Sequence, residues 1–172
     1  ATSFAPSISG NTAKASTANG QQLHVQSLLP SGAKLRSDNG RSELIDNTTA
    51  TDEMMKERLV VEAPSADKVR FLHVLQGADK GTAADAATLV RSSAGSAYVG
   101  AVVGNTLVLF PQEAKQAFGG LQYEAPAEAK RHLIAGLAPN TGYDVKFEGN
   151  RVSIGPGAMF KSDSGGVLWV SR

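Results

Sequence analysis

The sequence contains no cysteine, and its formal net charge is only +1. The missing cysteine excludes a disulfide framework, a thiolate zinc site and a cysteine nucleophile, so stability must come from packing. A nearly balanced charge gives no support for binding nucleic acid or an anionic membrane. No stretch approaches the ~18 consecutive apolar residues that a membrane-spanning helix requires. We therefore expect neither nucleic acid nor a membrane as a partner.

Histidine is scarce as well. The three histidines, His24, His73 and His132, lie far apart in the sequence and form no pair with metal-ligand spacing. The sequence also lacks a Gly-x-Ser-x-Gly elbow, a phosphate-binding glycine loop and a His-Glu-x-x-His motif. It therefore predicts no metal site, no cofactor and no complete catalytic site.

Aromatic residues make up only 6% of the chain, whereas glycine occurs 18 times, a composition typical of short strands joined by turns. Two hairpins are especially clear. Gly104-Asn105 separates two apolar runs, and Gly149-Asn150 separates the alternating segments 143–148 and 151–154. We predict an all-β chain with little helix, an antiparallel sandwich or stacked sheets of about nine or ten strands.

The first twenty residues are rich in Ser, Thr, Ala, Asn and Gly. This composition favours a flexible segment over residues 1–20, followed by one β-sandwich domain over 21–172. The segment is also compatible with export, and we expect a secreted or periplasmic bacterial protein. Within the domain, residues 69–76 read as a central strand covered on both faces, with His73 as a buried, hydrogen-bonded structural residue.

Two segments together resemble a known family. Residues 22–33 read Gln-Leu-His-Val-Gln-Ser-Leu-Leu-Pro-Ser-Gly-Ala, and residues 58–62 and 70–76 read Arg-Leu-Val-Val-Glu and Arg-Phe-Leu-His-Val-Leu-Gln. They resemble the C-terminal β-domain of heparinase II/III-type polysaccharide lyases, in which a similar Leu-Leu-Pro strand end precedes a Phe-Leu-His-Val-Leu strand. The similarity covers residues 22–79, with a weaker continuation to residue 172.

The resemblance implies a domain that belongs to a lyase acting on uronic-acid polysaccharides but does not contain the catalytic residues. Lyases of that family eliminate across a uronic acid, with the reacting groups mainly on an N-terminal α/α-toroid and one histidine in a His-x-His-x-Asp segment. No segment here matches either part, so no catalytic residue carries over. The resemblance implies a polysaccharide partner and an N-terminal α/α-toroid catalytic domain or subunit.

A second resemblance concerns residues 136–145, Gly-Leu-Ala-Pro-Asn-Thr-Gly-Tyr-Asp-Val. They are similar to a strand connection of fibronectin type III domains, in which a tyrosine corner pins a crossover through a bond from the phenol to upstream backbone. This predicts a structural role for Tyr143. Trp169 alternates with Val167 and is predicted to be structural in the core.

Four residues are candidates for carbohydrate binding. Tyr123 lies among polar neighbours and is the best candidate for an exposed stacking platform, and Tyr98 is a second. Arg131 could bind the acid group of a sugar through two parallel hydrogen bonds, and the adjacent His132 is the fourth candidate. A buried or merely solvated role remains the alternative for each of them.

Three functions therefore stay open. The first is a non-catalytic or part-catalytic C-terminal β-domain of a uronic-acid polysaccharide lyase that supports the substrate cleft. The second is an independent carbohydrate-binding module, which needs an exposed aromatic row on one sheet. The third is a structural or adhesive β-sandwich.

Overall fold

The computed structural model describes residues 5–39, 57–113 and 117–172, and these contain fifteen strands and no helix. The prediction of an all-β chain is confirmed. No helix among the described residues could cross a membrane. The chain divides into two compact units, Ala1–Ala84 and Asp85–Arg172, which we call the N-terminal and C-terminal units. The single domain predicted over 21–172 spans both.

The N-terminal unit contains a four-stranded antiparallel sheet in the order β1-β2-β3-β6 and a two-stranded ribbon, β4-β5. Its strands are β1 (Ser7–Ser9), β2 (Thr12–Ser16), β3 (Gln22–Leu29), β4 (Lys34–Asn39), β5 (Glu57–Glu62) and β6 (Leu72–Ala78). The strands β1 and β2 thus lie inside the segment predicted to be flexible.

The expected central strand at 69–76 is wrong in its position within the sheet. Its structured part is β6, which among the described residues pairs only with β3 and forms an edge of the four-stranded sheet. Phe71 is 50% and Leu75 62% exposed, so the second face is not covered. Apolar residues on both faces are typical of a central strand, but burial of both faces requires a second layer, and the described residues place none over Phe71 and Leu75.

The C-terminal unit is one nine-stranded sheet in the order β14-β12-β13-β10-β7-β8-β9-β11-β15. Its strands are β7 (Ala87–Gly95), β8 (Tyr98–Val103), β9 (Thr106–Pro111), β10 (Leu121–Glu124), β11 (Arg131–Ile134), β12 (Gly142–Glu148), β13 (Arg151–Pro156), β14 (Phe160–Lys161) and β15 (Leu168–Ser171). Both predicted hairpins are present, because Val103 pairs with Thr106 and Glu148 with Arg151.

This sheet curls until its edge strands β14 and β15 touch, so that it is nearly closed on itself and is not clearly a sandwich. A single curled sheet can bury one face against itself without a second sheet. The sheet is also mixed. The chain leaves β9, crosses to form β10 on the far side of β7 and returns to β11, which therefore lies parallel to β9.

The inner face of the curled sheet is the hydrophobic core of the C-terminal unit. Side chains alternate along each strand, so every second residue points inward. The inward residues with no exposed surface are Leu107, Leu109, Tyr123, His132, Ile134, Val152 and Leu168. The intervening residues lie on the outer face.

Candidate functional site: an exposed aromatic face

Three adjacent strands, β9, β11 and β15, place large apolar side chains on the outer face of the C-terminal unit. Pairing aligns Leu133 with Val108 on one side and with Trp169 on the other. Phe110 lies two residues beyond Val108 and therefore on the same face. Trp169 is 60% and Phe110 45% exposed. We call this set, Val108, Phe110, Leu133 and Trp169 with Arg131 beside it, the aromatic face.

Arg131 supplies the charge of the aromatic face. It lies on β11 two residues before Leu133 and points outward, because the intervening His132 is buried. Its guanidinium donates one hydrogen bond to Asn105 Oδ1 over 2.8 Å. A guanidinium carries five N–H donors, so this bond orients the group and leaves donors for a ligand.

The chemistry of the aromatic face suits a sugar acid. The flat ring of an exposed tryptophan makes favourable contact with the apolar face of a sugar. A guanidinium matches a carboxylate in a planar, two-bond fork. An apolar row with a cation at one end can therefore bind a sugar ring by stacking and its carboxylate by an ion pair.

Tyr123 and His132 were each candidates for carbohydrate binding, but both are fully buried, so neither side chain is exposed to a polysaccharide. The Tyr123 hydroxyl and His132 Nδ1 are 2.8 Å apart, and His132 Nε2 lies 3.1 Å from the Ala129 carbonyl. A carbonyl only accepts, so Nε2 donates to it and Nδ1 accepts from the tyrosine. The pair satisfies itself inside the core.

Burial sets the protonation of this pair. It lowers the pKa of His132, because a charged ring would lose its hydration, while the hydrogen bond to Ala129 opposes the shift. Burial also raises the pKa of Tyr123. The ring of Phe147 packs edge-on against His132 with centroids 5.4 Å apart. The result is a neutral, structural pair.

Tyr98 is also buried, at 2% exposure, so it cannot serve as a platform. Burial raises its pKa to about 12. Its ring packs edge-on against Phe118, which in turn packs edge-on against Tyr143. These three rings form an aromatic cluster in the core of the C-terminal unit.

The structural predictions divide. Tyr143 is 3% exposed, and its hydroxyl accepts a hydrogen bond from the Ala138 N–H over 3.1 Å, the upstream backbone contact that a tyrosine corner requires. Trp169, predicted to lie in the core, is exposed because Leu168 and Val170 take the inward positions. His73 is half-buried, and its shielded Nδ1 makes no hydrogen bond among the described residues, contrary to the expected satisfied core histidine.

Among the described residues, no three His, Asp or Glu side chains gather as metal ligands. Known protein-family models and curated proteins both yield no match to this sequence. The aromatic face is therefore the structural observation from which a function can be argued, and the family resemblance of residues 22–79 stays an expectation.

Proposed function

We propose that this chain is a non-catalytic β-domain of a lyase acting on uronic-acid polysaccharides, and that its aromatic face binds the acidic chain. The observation that carries the proposal is the exposure of Trp169 and Phe110 on one face, beside the outward Arg131. The family resemblance supplies the lyase context, with an α/α-toroid neighbour that performs the elimination. Such a polysaccharide lies outside the cytoplasm, so the proposal includes export of the protein to the periplasm or the medium.

The position of His132 argues against this residue as the general base of an elimination. Both of its ring nitrogens are engaged by internal partners, Tyr123 and Ala129. A general base must reach the proton that it removes, and a fully buried ring cannot reach a polysaccharide.

Electrophoresis through gels containing polygalacturonate, alginate or heparin tests the aromatic face. We expect at least one of these to retard the protein more than a neutral glucan does. Trp169→Ala and Arg131→Gln should each weaken binding by roughly tenfold, which corresponds to about 1.4 kcal/mol. Phe71→Ala is the matched control, since Phe71 is an exposed aromatic residue of the N-terminal unit. If none of the polysaccharides retards the protein, a structural or adhesive role replaces the proposal.

An ultraviolet assay for unsaturated uronic-acid ends tests the non-catalytic part. Incubation of the purified chain with the same polysaccharides should produce no new absorbance. A rising signal that falls in Trp169→Ala would show that the chain itself eliminates and would contradict the proposal.

An independent carbohydrate-binding module is the second candidate, and the same aromatic face favours it, since stacking needs no catalytic neighbour. The coding sequence upstream of Ala1 separates the two. A toroid-like helical region there supports the lyase domain, whereas a signal peptide alone supports the module.

A further inference from the structure

We infer that the C-terminal unit carries a second carbohydrate site, for an uncharged sugar, in a groove across strands β12, β13 and β10. The groove has a volume of about 460 Å³ and lies on the outer face of the sheet. Pairing aligns Lys146 with Ser153, and Ser153 with Gln122, in one row across the three strands. We call this the polar groove. Residues Ala94 and Gly95 of β7 also line the groove, so β8 separates it from β9 of the aromatic face on one side. On the other side, β14 lies between β12 and β15, the strand that carries Trp169.

One wall of the polar groove is the 117–120 loop, which a buried serine fixes in place. The Gly119 N–H donates to Ser96 Oγ over 2.9 Å, and the Ser96 N–H donates to the Gly120 carbonyl over 2.8 Å. Ser96 is 4% exposed. A wall fixed before binding lowers the ordering cost that a ligand would otherwise meet.

The opposite side is fixed by Asp144. Its Oδ1 accepts hydrogen bonds from the Ala158 N–H over 3.0 Å and the Met159 N–H over 3.1 Å. These bonds hold the turn that follows Pro156, a residue lining the groove. Both sides are therefore built from contacts within the protein.

Two glycines that line the groove have no backbone reason to be glycine. Gly119 and Gly155 both line it, neither has a positive φ, and a Cβ at either would meet nothing within 4 Å. By contrast, Gly95 and Gly120 have φ of +77° and +89°, which favour glycine by themselves. Any larger side chain at 119 or 155 would project into free space, and at 155 that space is the groove.

The polar row itself has no internal partner. Within the described residues, the side chains of Lys146, Ser153 and Gln122 make no hydrogen bond or ion pair. Together they offer ammonium donors, a hydroxyl and a primary amide, so both donors and acceptors are present. With neighbouring strands about 4.8 Å apart, the row extends roughly 10 Å, which suits a chain with hydroxyls at intervals.

The charges in the groove and the position of its strands within the sheet indicate which class of ligand it would bind. Asp144 lies on the same face of β12 as Lys146, two residues away, so their charges offset each other and an anion gains little. The three strands of the row pair on both sides within the sheet, so no free strand edge is available for an extended peptide to join. A hydroxyl-rich, uncharged sugar meets both conditions.

Titration of the full chain with neutral hexasaccharides, namely cellohexaose, maltohexaose and mannohexaose, tests this inference by calorimetry and amide NMR. We expect one of them to bind saturably and to shift the amides of Gln122, Lys146 and Ser153. Gly155→Phe should abolish binding by filling the groove, and Lys146→Gln with Ser153→Ala should weaken it at least fivefold. Lys161→Gln is the matched control, a lysine of the neighbouring strand β14 outside the groove.

The outcomes separate this site from the aromatic face. Neutral-sugar binding that survives Trp169→Ala supports the polar groove, whereas its loss in that variant overturns it. Absence of saturable binding by all three hexasaccharides also overturns it, as does unchanged binding by Gly155→Phe. If Gly155→Phe does not fold, the double variant at Lys146 and Ser153 tests the site instead. Weaker binding by that variant supports the site, and unchanged binding overturns it. Retardation by acidic polysaccharides is read separately, so the proposed function can fail while this inference stands.

Discussion

Tyr123 shows how a polar neighbourhood can mislead. Its neighbours Gln122 and Glu124 suggested an exposed ring, yet in a strand polar neighbours place the residue between them on the opposite face. Leu121, Gln122, Tyr123 and Glu124 alternate between buried and exposed in the structure. The alternation was visible in the sequence and would have placed Tyr123 in the core. Its partner His132 could not be identified in this way, since their bond joins strands brought together by the fold.

The neutral state of His132 makes stability depend on pH. In the unfolded chain a histidine has an ordinary pKa of about 6.5, and the folded pKa lies lower because of burial. As the pH falls below about 6.5, the unfolded chain takes up a proton that the folded chain resists. The contribution to the free energy of unfolding is therefore complete above about pH 6.5 and declines toward the folded pKa.

NMR titration of the His132 ring, together with urea unfolding from pH 8 to pH 5, measures this effect. The ring should titrate below the ordinary histidine pKa of about 6.5, and the unfolding free energy should decrease over the acid part of the range. His132→Asn, if it folds, should show a flatter profile. A ring that titrates at or above the ordinary value would contradict the neutral assignment.

Trp169 should matter for binding but not for folding. Because its side chain is 60% exposed, Trp169→Ala should change the free energy of unfolding by no more than about 0.5 kcal/mol. The adjacent Leu168 is fully buried, and Leu168→Ala should cost about 2–5 kcal/mol. Urea unfolding of both variants measures the difference. A comparable loss for Trp169→Ala would show that the ring is a packing residue.

Hairpins and the tyrosine corner are the elements that local sequence specifies best. Gly104-Asn105 and Gly149-Asn150 each connect two strands that follow directly in the chain, so local turn chemistry sets their register. The parallel pairing of β11 with β9 has no such local signal, because it joins residues on either side of β10. Sequence periodicity indicates a strand but not its neighbour.

Tyr143→Phe tests the corner. Loss of the hydrogen bond from the Ala138 N–H should lower the free energy of unfolding by about 0.5–1.5 kcal/mol, since the ring stays packed and only the hydroxyl is removed. Tyr98→Phe is the matched control. Its hydroxyl makes no hydrogen bond among the described residues, and its ring belongs to the same aromatic cluster. Equal effects of the two changes on the urea midpoint would argue against a role for the corner.

Each compact unit has its own sheet system, and the main hydrophobic cluster lies entirely in the C-terminal unit, between Val90 and Val170. A core that needs no residue from outside its unit should form without it. This arrangement makes the C-terminal unit the best candidate for independent folding.

A fragment covering residues 85–172 should therefore fold by itself. We expect dispersed amide NMR signals and a cooperative urea transition, with the ring resonances of His132 matching those in the full chain. Fragment 1–84 prepared in parallel is the comparison. A disordered 85–172 fragment would show that its core depends on the N-terminal unit.

Strand periodicity and turn dipeptides were enough to predict an all-β chain with two correctly placed hairpins, because these signals act between residues close in sequence. Residues 167–170 set the limit of that reasoning. Val167, Leu168, Trp169 and Val170 are apolar at every position, so alternation alone could not show which set faces inward. Closure of the sheet resolved the ambiguity by burying Leu168 and Val170 against the core, which left Trp169 exposed beside β11. The inward face, and with it the aromatic face, depends on which strands lie opposite one another, and contacts between distant segments set that arrangement.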